Sequence, residues 1–183
     1  KYNKKPGDIK FWDYNNNGMK DGEDNVPLGN GMPKFEANMS NYFFYKNFDF
    51  SFDLQSIYGH SIQNFGRSML ENRVTYSNSY RSALYDAWTP EHQNTVVAAI
   101  RLPMDGYEND ADSRSIEDAS FLRLRMASLG YNFSKETVKK LGLAELRLGL
   151  TGENLLLFTK YSGFDPETTS FDATFNQGID MFQ

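Results

Sequence analysis

Between Phe48 and Gln55 the chain alternates without a break. Phe48, Phe50, Phe52 and Leu54 fall on one side, and Asp49, Ser51, Asp53 and Gln55 on the other. Successive side chains of a β-strand point to opposite faces, so alternation this strict predicts a strand with one apolar and one wet face. A second alternating run precedes it. Phe35, Ala37, Met39, Asn41 and Phe43 share a side, with Glu36, Asn38, Ser40, Tyr42 and Phe44 opposite. Tyr45, Lys46 and Asn47 alone separate the two runs, a link short enough to predict an antiparallel hairpin.

Two more runs lie further along. From Phe121 to Phe133, Leu122, Leu124 and Met126 share a side with Arg123 and Arg125 opposite, and the apolar phase then moves to Leu129, Tyr131 and Phe133. One extra residue flips the faces of a strand, so this shift predicts a β-bulge. From Glu145 to Asn154, Leu146, Leu148 and Leu150 alternate with Glu145, Arg147, Gly149 and Thr151. The intervening Ser134–Ala144 stretch predicts a turn or two of helix, capped by Ser134 and ended by Gly142.

The connections sharpen this picture. Those at Tyr45–Asn47 and Ser134–Ala144 are short, whereas Tyr58–Ser120 and Phe158–Gln183 are long. A compact soluble domain rarely needs so long a loop, but transmembrane barrels alternate short periplasmic turns with long outer loops. Each run also has about the 9–11 residues that a tilted strand needs to cross a bilayer. Four strands cannot close a barrel, and an open edge in lipid leaves backbone groups unsatisfied. The expected fold class is therefore all-β: about four antiparallel strands of a larger transmembrane β-barrel, with at least one further strand following.

Composition narrows the function. Fifteen Phe, eleven Tyr and two Trp make 15% of the chain, which suits a carbohydrate-binding β-sandwich or a barrel with aromatic girdles. No run approaches the ~18 apolar residues of a transmembrane helix. A net charge of -5 without a basic cluster gives nucleic acid no footprint, and the absence of Cys excludes a disulfide framework. His60 and His92 are the only histidines. The carboxylates of Glu108, Asp110, Asp112, Glu117 and Asp118 read as a solvated acidic surface and not as a glycosidase pair, so no enzyme is expected. Tyr80, Tyr85, Trp88 and Tyr107 are loop aromatics that stack on sugars, pack a partner or fold the loop on itself.

One loop has the spacing of a metal site. From Asp13 to Asp24, oxygen side chains stand at positions 1 (Asp13), 3 (Asn15), 5 (Asn17), 9 (Asp21) and 12 (Asp24), with Gly18 at position 6. The backbone carbonyl of Met19 supplies a further oxygen, and Ca2+ takes six to eight such ligands. Two neutral Asn ligands and a short Asp at the last position predict a modest, structural Ca2+ site. An Asx-rich turn without metal is the competing reading.

Taken in order, several motifs resemble the SusC/RagA family of TonB-dependent outer-membrane transporters, in its C-terminal barrel portion. They are Pro6-Gly7-Asp8-Ile9-Lys10-Phe11 before the Asp/Asn/Gly loop, Tyr45-Lys46-Asn47-Phe48-Asp49 and Ile57-Tyr58-Gly59. Trp88-Thr89-Pro90-Glu91 with Gln93-Asn94 follows, then Ser120-Phe121-Leu122-Arg123-Leu124-Arg125 and Leu129-Gly130-Tyr131-Asn132-Phe133. Gly152-Glu153-Asn154-Leu155, Phe158-Thr159-Lys160-Tyr161 and Gly163-Phe164-Asp165-Pro166-Glu167 complete the set.

The resemblance implies a barrel of roughly 22 strands with a plugged lumen. It implies active import of glycans or peptides across the outer membrane of a Gram-negative bacterium, with a SusD-like surface lipoprotein outside. TonB would be engaged through an N-terminal region upstream, where the plug also lies. On this reading residues 1–33 form an outer loop with the calcium-like motif, 34–57 a strand hairpin and 58–119 a long outer loop. Residues 120–157 are a strand pair and 158–183 a further outer loop, with the last strand beyond. The alternative is a secreted, calcium-stabilised, carbohydrate-binding β-sandwich. A dockerin-like module is a third option, but it requires a second calcium repeat and the sequence has one.

Overall fold

The computed structural model describes residues 5–71, 78–100, 112–167 and 179–180, so Tyr107, Glu108 and Asp110 lie outside it. In chain order there are a 3-10 turn (Gly22–Asp24), β1 (Phe35–Tyr45), β2 (Phe48–Tyr58), β3 (Ser61–Asn64), α1 (Phe65–Glu71) and α2 (Arg81–Tyr85). Then follow β4 (Ile116–Asp118), β5 (Phe121–Asn132), α3 (Lys135–Lys140), β6 (Arg147–Thr159) and β7 (Ile179–Asp180). Among the described residues no helix is long and apolar enough to cross a membrane. The chain divides into two compact units, one of Met32–Ser61 with Asp118–Tyr161 and one of the remaining segments.

The first unit is a four-stranded antiparallel sheet in the order β1-β2-β5-β6. β1 and β2 pair along their whole length, from Phe35 opposite Tyr58 to Tyr45 opposite Phe48. Lys46 and Asn47 make the turn, and Lys46 takes a left-handed φ of 54°. Asn47 also binds the next hairpin: its carbonyl accepts from the Asn132 N–H at 2.8 Å, and its side-chain amide donates to the Asn132 carbonyl at 2.7 Å. α3 begins at Ser134, whose hydroxyl accepts from the Thr137 N–H at 3.3 Å, and Gly142 follows it at φ 68°.

The bulge predicted for the third run is present, but at Arg125. Asp53 faces Met126 while its neighbour Leu54 faces Leu124, so Arg125 is the extra residue. Without it the apolar residues before and after would lie on opposite faces, Leu122 and Leu124 being even-numbered and Leu129 and Tyr131 odd. The bulge corrects the phase so that all four share one face. Met126, expected beside Leu124, pairs instead with Asp53 and Glu153 on the opposite face. A matching irregularity falls in β6, where Leu124 faces Leu156 and Met126 faces Glu153. Asn154 there adopts φ 50°, a conformation that Asn tolerates better than most residues. β6 continues through this kink to Thr159, beyond the Asn154 limit of the alternation.

The second unit holds what the sequence presented as long loops. β3, α1, α2 and β4 lie inside the 58–120 stretch, and a small sheet has the order β4-β3-β7. β3 and β7 run parallel, with Gln63 opposite Ile179. Ile62, Ala83 and Pro166 are buried here, a small core of short elements. The Trp88 ring is half-buried against Gly7, which helps to fold the loop, and the residue's backbone N–H donates to the Val97 carbonyl at 2.9 Å.

Candidate functional site

Residues opposite one another in an antiparallel pair share a face, so the register sorts every strand residue. One face carries Phe35, Met39, Phe43 and Tyr45 of β1, and Phe48, Phe50, Phe52 and Leu54 of β2. Leu122, Leu124, Leu129 and Tyr131 of β5 continue it, with Leu148, Leu150, Leu156 and Phe158 of β6. Most of these side chains are exposed: Phe43 at 53%, Leu129 at 48% and Leu150 at 76%. The rings of Phe50 and Phe52 lie 5.8 Å apart and those of Phe48 and Tyr131 4.7 Å apart, so the face is continuous across strands. A contiguous apolar surface this wide is not a soluble protein's ordinary exterior, because water would charge the full transfer cost of every side chain.

The strand dimensions fit a bilayer. β1 and β2 have 11 residues each. At about 3.3 Å per residue and a tilt of about 45°, they span roughly 25 Å, the height of a barrel's apolar band. Aromatics gather at both ends of the apolar face. Phe35 and Tyr58 stack at 5.3 Å at one end, while Tyr45, Phe48 and Tyr131 lie at the hairpin end.

The opposite face is wired with polar bonds. Asp49 is only 4% exposed. Its carboxylate accepts from the Arg147 guanidinium and, at 3.1 Å, from the Asn132 amide. Arg147 sits on β6 and Asp49 on β2, so the arginine crosses β5 to make this pair. It crosses above Gly130, the β5 residue facing Asp49. A Cβ on Gly130 would lie 2.6 Å from Asp49 Oδ1 and collide with the guanidinium as well. Further along the same face Arg125 Nε donates to Gln55 Oε1, and the hydroxyls of Ser128 and Thr151 are 2.9 Å apart. None of these cross-strand partners was named from the sequence. Asp49 and Arg147 are 98 residues apart, and Gly130 was the only local hint.

The Asp13 loop lies in the second unit. Asp13 accepts from the N–H groups of Asn17 at 3.1 Å and Gly18 at 2.7 Å. Asn15 Oδ1 accepts from the Asn17 N–H at 3.0 Å, and Asn17 Oδ1 from the Met19 N–H at 2.7 Å. Asp21 caps the 3-10 turn by accepting from the Glu23 N–H at 2.9 Å, and the Asn17 amide donates to its other oxygen at 2.7 Å. Asp24 accepts from the Tyr14 N–H at 2.8 Å, closing the loop. The loop is thus drawn together by its own amides. Glu23, which the spacing passed over, joins it through Asn15 Nδ2 at 2.9 Å. Among the described residues no three His, Cys, Asp or Glu side chains converge as a metal cradle. Lys20, Asp21 and Asp24 also line a cleft of about 900 Å3, with Phe11, Trp12 and Arg114.

The fold has counterparts in known proteins. No family model matches the chain. TonB-dependent receptor P3 of Formosa agariphila is 36% identical over 164 residues, covering 88% of this chain and 16% of that protein. TonB-dependent receptor SusC of Bacteroides thetaiotaomicron is 32% identical over 177 residues, covering 92% of this chain and 16% of that protein. The solved structure of the RagAB peptide transporter superposes with a TM-score of 0.67 at 28% identity, over 82% of this chain and 15% of the matched chain. The chain belongs to the SusC/RagA family of TonB-dependent transporters.

This SusC/RagA-family chain spans about 16% of the length of the relatives it matches. The superposition on RagAB in its closed-closed state, with a TM-score of 0.66, covers a similar share. The antiparallel sheet is therefore a family feature. Its two faces are properties of this chain's own residues.

Proposed function

We propose that this chain forms part of an active importer in the outer membrane of a Gram-negative bacterium, taking up glycans or peptides under TonB control. The observation that carries the reading is the unbroken apolar face of β1, β2, β5 and β6, which lipid would cover. β1 and β6 each leave one side unpaired within the sheet, and such edges are satisfied when a barrel closes. In the whole protein these four strands belong to the C-terminal part of a barrel of roughly 22 strands. The hairpins at Lys46 and α3 face the periplasm. The segments around Asp13, between β2 and β5, and after β6 face outward. A SusD-like lipoprotein is the proposed outer partner, and TonB is engaged by an upstream region that also provides the plug. The role is passage of a substrate and not covalent chemistry.

The polar face supports the same orientation, because the charged pair of Asp49 and Arg147, with Asn132, then lies on the side turned away from lipid. The Asp13 loop is proposed as a structural Ca2+ loop on the outer side, supported by its ligand spacing and its closed hydrogen-bonded shape. Calorimetric titration of the full-length protein with Ca2+, beside an Asp13→Ala, Asp24→Ala variant, tests that assignment; equal heats for both would remove it. The transport reading is tested by deleting the gene and measuring uptake of oligosaccharides and peptides by whole cells. Loss of uptake of one class, repeated on deletion of TonB, supports it. Full uptake of both classes overturns it.

A further inference from the structure

We propose that the hairpin end of the four-stranded sheet is a docking surface for anionic phospholipid, whose phosphate is held by Lys46 and the lysines of α3. This rests on the outer-membrane reading above and adds to it the class of headgroup and the residues that hold it. The apolar face ends here in an aromatic row. The Phe133 N–H donates to the Leu146 carbonyl at 3.0 Å, so the pairing of β5 with β6 continues past Asn132. The Tyr131 and Phe133 rings lie 5.0 Å apart, and the Phe48 ring lies 4.7 Å from Tyr131. Rings of this kind gather where acyl chains meet headgroups. Lys46 follows Tyr45 at the turn and is exposed, with its Nζ 5.3 Å from the centre of the Tyr45 ring. Its ammonium therefore stands at the edge of the aromatic row.

α3 is fixed to the same end. The Asn47–Asn132 bonds hold the Lys46 turn against the approach to α3, and Val138 in its middle is buried. The Val138 carbonyl accepts from the N–H groups of Leu141 at 3.1 Å and Leu143 at 3.2 Å, which sets the turn that follows. Lys135, Lys139 and Lys140 are exposed around this anchor, as are Leu141 and Leu143. Glu136 and Glu145 lie in the same stretch, yet among the described residues no carboxylate forms an ion pair with any of the four lysines. Arg147, on the polar face, is already matched by Asp49. Four lysines against two carboxylates make this end positive in a chain whose net charge is -5. A lysine stem lies along apolar surface while its ammonium stays at the level of the headgroups, where phosphate receives it as a point charge. A free phosphate would answer the lysines alone. The aromatic row and the exposed leucines require acyl chains beside the phosphate, and a zwitterionic headgroup brings a cation of its own.

The test is native mass spectrometry of the full-length protein in detergent, titrated with phosphatidylglycerol and with phosphatidylcholine of the same acyl chains. A lysine near an anionic surface contributes a factor of about five, so a phosphate held by one or two of them predicts a preference for phosphatidylglycerol of about fivefold to thirtyfold. The combined Lys46→Gln, Lys135→Gln, Lys139→Gln, Lys140→Gln variant should bring that ratio to about one and leave phosphatidylcholine binding unchanged. Arginine at the same four positions should keep the preference. Lys34→Gln should also keep it, because Lys34 lies at the far end of the sheet, where its N–H donates to the Tyr58 carbonyl at 2.9 Å. Equal binding of the two lipids by the wild type overturns the proposal, as does a preference that survives the fourfold glutamine variant. A loss in Lys34→Gln as large as in that variant overturns it too, since the effect would then belong to charge in general. Binding of neither lipid would instead remove the outer-membrane reading, and this proposal with it.

Discussion

The two faces of the four-stranded sheet are made by the same strands and differ in every other respect. One is apolar and exposed, with Phe43, Leu129 and Leu150 reaching outward and the Phe43 ring stacked against Phe50. The other buries a carboxylate, Asp49, and satisfies it from two other strands. In a water-soluble sheet the apolar face packs inward against a second layer and the polar face looks out. Here no second layer covers the apolar face within the described residues, and the polar face holds the buried charge. The arrangement is inside-out, which is the arrangement a lipid solvent requires.

Charge placed on each face breaks or sharpens the contrast most strongly. Phe52→Arg should cost about 2–4 kcal/mol of barrel stability, because Phe52 lies near the middle of β2 on the apolar side. Ser51→Arg, one residue away and on the polar side, should change stability by about 0.5 kcal/mol or less. Urea unfolding of the full-length protein refolded into vesicles measures both, and equal costs would dissolve the distinction between faces.

Next in size is the bridge across β5. Gly130→Ala puts a methyl where Arg147 passes, and overpacking there should cost about 1–3 kcal/mol. Combined with Arg147→Ala the penalty should fall below the sum, since the guanidinium, though not the Asp49 carboxylate, no longer stands against the methyl. A double-mutant cycle gives the coupling, and strict additivity would show that Arg147 does not cross over Gly130.

The smallest expected effect is pH dependence outside the sheet. Burial pushes the Glu117 carboxyl up, but hydrogen bonds from the Ser162 N–H and hydroxyl, Arg67 and Asn64 outweigh it and hold the pKa below the usual glutamate range. A carboxyl with a depressed folded pKa stabilises the fold above its unfolded pKa of about 4.3, and that stability is lost as pH falls through the folded value. Asp118 is likewise lowered, chiefly by the Ser120 hydroxyl and N–H. Acidification from about pH 5 to 3 should therefore weaken the hold of Glu117 on Ser162 in the wild type, and Glu117→Gln should flatten that response. A pH profile unchanged by the substitution would remove Glu117 from the account.

How much of this was legible in the sequence depends on range. The hairpin of β1 and β2 was readable because alternation and a short link are local signals, and both sit within Phe35–Gln55. α3 was readable for the same reason, with Ser134 and Gly142 marking its ends. The bulge was visible as a phase shift, but its position was not: Met126 was grouped with Leu124 because the extra residue, Arg125, declares itself only against the β2 register. β3, α1 and β4 were absorbed into a loop, since strands of three or four residues have no period to detect. The Asp49–Arg147 bridge and the Glu117–Ser162 hydrogen bonds join residues tens of positions apart, and nothing local announces them. The Asp13 loop was the reverse case: its oxygen spacing is local and legible, and what the structure adds is the set of backbone amides that its side chains accept from.

The chain's lack of cysteine makes the central claim directly measurable. Single nitroxide labels would be placed at positions 43, 50, 129 and 150, and separately at 40, 51, 128 and 151, in full-length protein without other cysteines, reconstituted in bilayers. Collision with oxygen, which concentrates in lipid, is compared with collision with a water-soluble nickel chelate. The account predicts oxygen-rich, nickel-poor behaviour for the first set and the absence of that pattern in the second. Labels at positions 50 and 150 that collide freely with the nickel chelate would contradict it, because the apolar face would then be facing water.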